Sequence, residues 1–250
     1  MSTRSSLKPI FWLTIVAWLI TLVTTLIMRG EADWSRSMIR LQDLGFDYGG
    51  TSPIVALGLA GGQEGIDKLL PPHLKSGRHD RDVATAITQW DFAFIVGYAS
   101  LFILLVLRQK KGALRSLQIG LVILGALLDV VENFELLAAI YRAPGWIPFL
   151  PKLLATAATV KWMALFLVFV LLGYAELTQS TYDTLPAFWR CLMGVLMLLG
   201  GVVGFWWMGG LHSGLLIQNG YAFAVASLAI LPVRFFTPDG NWRHPVPEDT

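Results

Sequence analysis

Leu127-Leu128-Asp129-Val130-Val131-Glu132-Asn133-Phe134-Glu135 lies inside an apolar run that reaches from about Leu117 to Ile140. Such a run is long enough to span a bilayer as a helix, which takes about 20 residues, yet its second half carries carboxylates. A charge deep in hydrocarbon costs roughly 3 kcal/mol or more, so it needs a partner or a wet cavity. Asp129, Glu132 and Asn133 stand at i, i+3 and i+4 and share one helix face. Lys161 is the cation that the sequence places well inside another span, and it is the expected counter-charge.

Composition sets the class. Of 250 residues, 55% are hydrophobic and 14% are charged, and the mean hydropathy is +0.60. Soluble domains carry roughly 25% charged residues, so an integral membrane protein is expected. A net charge of +2, with its basic residues scattered over short loops, leaves no footprint for nucleic acid. Cys191 is the single cysteine, which excludes an intramolecular disulfide and any cysteine-cluster metal site. His73, His79, His212 and His244 form no metal-type pair on a helix face. Neither a metal nor a cofactor is expected.

Hydropathy gives an all-α, polytopic bundle of six transmembrane helices. The first is the charge-free run Pro9 to Met28, behind Arg4 and Lys8. Its length, and the lack of a small-residue cleavage site before Arg29, favour an uncleaved signal anchor over residues 1–28. Further spans are expected at about Ile87–Leu107, Leu117–Ile140, Leu153–Tyr174, Cys191–Leu211 and Leu215–Phe236, a bundle over 87–236 followed by a tail over 237–250. Residues 29–86 read as an extramembrane cap between the first two spans. Within it Asp33 to Leu44 sets Trp34, Met38, Leu41 and Leu44 on one side, as an interfacial helix would. Gln63 to Leu70 is a short helical piece ended by Pro71-Pro72, and His73 to Asp82 is a charged connection. The loop Arg108-Gln109-Lys110-Lys111, with Arg115, is the most basic, so both termini are placed in the cytoplasm and the cap outside the inner membrane. Gly200 and Gly204 have the spacing of a helix-dimerisation motif, and packing within the chain is the expected use. Trp34, Trp146, Trp189 and Trp242 read as interface anchors.

Counting at about 1.5 Å per residue from the outer ends puts Glu132 and Lys161 at equal depth, about eight residues in. Asp91 opens the next face nearby, with Phe94 and Tyr98 continuing it toward the middle. The candidate polar site is therefore Asp91, Tyr98, Asp129, Glu132, Asn133 and Lys161. Glu132 and Lys161 are the expected ion pair, Asp129 the acid left free, and Glu135 lies off the shared face. Three acids face one lysine, and an unpaired carboxylate in low dielectric takes up a proton.

Ala60-Gly61-Gly62 before a short helix, Asp91-x-x-Phe94-x-x-x-Tyr98, Asp129-x-x-Glu132-Asn133 and a lysine in the next span resemble a family of uncharacterised bacterial polytopic inner-membrane proteins. The family pattern has an Ala-Gly-Thr turn and a leucine before the first aspartate; this chain has Gly62 and Trp90 there. The resemblance spans roughly residues 50 to 165. It implies a shared architecture and a shared site, and no established activity.

Three readings of function follow. The first is a module that binds a proton, a cation or an amphiphilic, lipid-like ligand in contact with membrane lipids. Another is a structural or assembly subunit of a larger membrane complex, with the acids merely paired. The third is an intramembrane enzyme acting on a lipid, with Asp129 or Glu132 as general acid/base and Tyr98 or Asn133 orienting the substrate. No nucleophile–base pair, histidine cluster or phosphate loop supports the third, and no catalytic residue is assigned.

Overall fold

The computed structural model describes residues 7–31, 63–70, 75–107, 109, 112–141, 150–178 and 185–208. Among them the chain is all-helical: α1 Leu7–Glu31, α2 Gln63–Leu69, α3 Lys75–Leu107, α4 Ala113–Ile140, α5 Leu150–Thr178 and α6 Leu185–Met208. Four helices are long and apolar enough to cross a membrane, with apolar stretches at Arg81–Leu107, Ala113–Ile140, Thr156–Thr178 and Phe188–Trp206. The apolar stretch of α1, Trp12–Met28, is shorter. Outward-facing Leu, Val and Trp side chains such as Val96, Leu127 and Trp206 are more than half exposed, except where they meet a neighbour. That is the surface a lipid-solvated bundle presents.

The helices stack in the order α1, α3, α4, α5, α6, each packed on the next. Close approach depends on missing side chains at two crossings. A Cβ on Gly97 of α3 would stand 2.8 Å from Thr21 Oγ1 and 2.9 Å from Thr21 N on α1, so those backbones touch. A Cβ on Gly173 of α5 would stand 2.6 Å from the carbonyl oxygen of Gly194 on α6. The Gly204 position on α6 packs on the Phe166 ring of α5, so that glycine serves packing within the chain. Glu176 and Arg190 close the same pair of helices with an ion pair of 3.4 Å. Thr21 and Thr88, buried in helices, donate their hydroxyls to the carbonyls of Ala17 and Ala84 at 2.8 Å, which satisfies them without a neighbour.

Two expectations change. The span expected at Ile87 is the second half of a helix that starts at Lys75. Most of the stretch read as a charged connection, His73 to Asp82, is helical because no proline interrupts it and hydropathy says nothing about a helix beyond the apolar layer. Arg81 shows what that extension does. Its guanidinium donates from Nε and Nη2 to Leu70 O at 3.1 and 2.8 Å, from Nη1 to Ile140 O at 2.7 Å, and from Nη2 to Asp67 at 2.9 Å. One side chain thus binds the carbonyl ends of α2 and α4, where the helix dipole is negative, and ties both to α3. Ile66 and Leu70 are wholly buried by that docking. The interfacial segment Asp33–Leu44, the Ala60-Gly61-Gly62 turn, the last span Leu215–Phe236, the tail 237–250 and the anchors Trp34, Trp146 and Trp242 lie outside the described residues.

Candidate functional site

The six candidate residues come together across α3, α4 and α5, and each is between 1% and 7% exposed. Position on the helices explains it. α4 lies between α3 and α5, so its buried arc is wide and takes in Asp129, Glu132 and Asn133 at once. α3 contributes Asp91 and, two turns on, Tyr98; α5 contributes Lys161.

Lys161 Nζ stands 2.8 Å from Asp129 Oδ1 and 2.6 Å from Glu132 Oε2. The expected pairing with Glu132 is present, but Asp129 is not free. A lysine on a four-carbon stem reaches two acids one helical turn apart, and it has done so. Tyr98 donates its hydroxyl to the other Asp129 oxygen, Oδ2, at 2.9 Å. Both oxygens of Asp129 are therefore taken, by two different helices. The ammonium also lies 5.0 Å from the Trp162 ring centroid, a favourable cation–π distance.

Asp91 is the acid without a cation. Its Oδ2 accepts a hydrogen bond of 2.8 Å from Asn133 Nδ2, and no lysine or arginine among the described residues pairs with it. The role expected of Asp129 thus falls to Asp91. Glu135 is buried too, because the arc of α4 enclosed by its neighbours extends that far.

Toward the α3–α4 turn the site is floored by rings. Phe94, Tyr98 and Phe102 follow one another on α3 with centroids 5.2 and 5.9 Å apart, and Phe102 meets Phe169 of α5 edge-on at 5.1 Å. Ion pair and aspartate sit against this apolar layer, where an uncompensated charge is expensive. Among the described residues no three His, Cys, Asp or Glu side chains converge as metal ligands.

Sequence reasoning gathered the six residues and missed Arg81, whose signal was the unbroken, proline-free run from Lys75 into the apolar layer. The chain matches no family model, no curated protein and no solved structure.

Proposed function

We propose that this chain is an inner-membrane protein that takes up and releases a proton at Asp91, within the membrane. One observation carries the reading: Lys161 is shared by Asp129 and Glu132, and among the described residues Asp91, the third acid of the cluster, has the Asn133 amide and no cation as its hydrogen-bond partner. A carboxylate in that setting lowers its energy by binding a proton. Asn133 suits both states, since its N–H₂ donates to the carboxylate and its carbonyl, once the amide turns, accepts from the acid.

The same reading takes the chain as six spans in contact with lipids, the cap outside and both termini cytoplasmic, on the strength of the basic loop at Arg108–Arg115. It also takes the chain as akin to the uncharacterised bacterial family whose motifs it resembles. A reporter fused after Thr250 and found outside would overturn the topology. A second reading, a structural or assembly subunit, draws on Asp129, whose saturated bonds to Lys161 and Tyr98 tie three helices together. The enzyme reading gains nothing from this arrangement.

An apolar carbodiimide separates the first two, because it adds to protonated carboxyls and spares ionised ones. In detergent, Asp91 should be modified, less so as pH rises, and the mass shift should vanish in Asp91→Asn. Modification of Asp129 or Glu132 with Asp91 untouched would overturn the assignment. A protein inert at every pH would favour the structural subunit.

A further inference from the structure

Gln118 is wholly buried, and among the described residues neither atom of its side-chain amide has a hydrogen-bond partner. It stands on the same face of α4 as the ion pair: Gln118, Val122, Gly125 and Asp129 follow one another at turn spacing, and all four are buried. From Gln118 to Asp129 the rise is about 16 Å.

The interval is apolar but incompletely filled by α4 itself. Gly125 leaves a notch, and Leu165 of α5 occupies it: a Cβ on Gly125 would meet Leu165 Cδ2 at 3.0 Å. Leu165 follows Lys161 by four residues, so one stripe of α5 carries both the ammonium and the plug. The obstruction is the end of a rotatable side chain, and a change of rotamer withdraws it without moving backbone.

A buried amide left bare is costly, and the cost disappears once water reaches it. A packing that admits water to Gln118 is therefore favoured over one that leaves the amide bare. We propose that Gln118 is the polar station of a water-filled route from the α3–α4 turn to the Asp129–Lys161 pair, closed by Leu165 in the Gly125 notch. The ligand is water, as the carrier of a proton. The route rests on the reading of Asp91 as a proton-exchanging site, and it brings a proton from the side of the bundle opposite α2 to within one turn of Asn133, the partner of Asp91.

The test uses the full chain in vesicles of phosphatidylcholine and phosphatidylglycerol, with Cys191→Ser as background. A thiol reacts with a small charged methanethiosulfonate only as a hydrated thiolate. Val122→Cys, one turn beyond Gln118, should react, whereas Ile123→Cys on the exposed face should not. Adding Leu165→Ala, or the milder Leu165→Val if the first impairs folding, should leave position 122, which lies on the entry side of the plug, unchanged and should speed hydrogen–deuterium exchange of the Asp91 carboxyl. Adding Gln118→Leu should slow it roughly tenfold, because the dry state then carries no bare amide. A position 122 thiol that stays inert or that ignores Gln118→Leu, or an Asp91 carboxyl whose exchange ignores Leu165→Ala, would overturn the route. Carbodiimide modification of Asp91 in the same samples keeps the two ideas apart. A modified Asp91 beside an inert position 122 removes the route and spares the proton site; an unmodified Asp91 removes the site, and with it the purpose of the route.

Discussion

Lys161→Met and Glu132→Gln should differ sharply in cost, although each deletes one member of the same ion pair. The lysine is 2.8 Å from Asp129 and 2.6 Å from Glu132, and the side chains of all three are less than a tenth exposed. Removing the cation strands two carboxylates, and breaking a buried pair from one side costs about 3–5 kcal/mol. Glu132→Gln instead leaves Lys161 and Asp129 as a one-to-one pair. It loses a charge-assisted contact worth about 1.5–3 kcal/mol but also removes one uncompensated negative charge, so a net cost of about 1–2 kcal/mol is expected. Equilibrium unfolding in mixed detergent micelles, followed by the helical circular dichroism signal, measures both. The midpoint should fall slightly for Glu132→Gln and far more for Lys161→Met. The triple variant Lys161→Met/Asp129→Asn/Glu132→Gln should recover much of the loss, because no charge is left without a partner. Equal loss in the two single variants would refute the shared lysine.

Tyr98→Phe removes the donor to Asp129 Oδ2 and should cost about 1.5–3 kcal/mol in the same unfolding assay, with Lys161→Met adding less than its full effect because the two act on one carboxylate. Gly173→Ala puts a methyl 2.6 Å from a backbone oxygen and should destabilise by about 1–3 kcal/mol. Its control, Gly120→Ala, meets nothing within 4 Å and should stabilise by about 0.5–1 kcal/mol. Arg81→Ala should release α2, seen as faster amide exchange at Ile66 and Leu70, and Arg81→Lys should not restore protection because an ammonium cannot span the three acceptors.

The long apolar runs of this chain made its helices legible, since each needs only periodicity and length. The polar site was legible for the same reason: equal depth counted from two helix ends put Glu132 beside Lys161, and they meet. What the count could not supply was rotation. Whether Lys161 turns toward one acid or two, and whether Asp91 or Asp129 is left with an amide alone, depends on how α3 and α5 are turned about their axes against α4. The burial of Glu135 was not legible for a related reason, because the width of a buried arc is set by how many neighbours a helix has. Arg81 was misread because the polar end of a helix that projects past its apolar layer has the composition of a loop.

The account turns on the protonation of a single carboxyl, and infrared spectroscopy reads it directly. A protonated carboxylic acid in an apolar site has a C=O stretch well separated from the carboxylate bands, and it shifts down in D₂O. Difference spectra of the protein in lipid between acid and alkaline pH should show that band, lost on deprotonation and absent in Asp91→Asn while Glu132→Gln and Asp129→Asn retain it. A band that survives in Asp91→Asn and disappears in either of the others would contradict the assignment of the proton to Asp91.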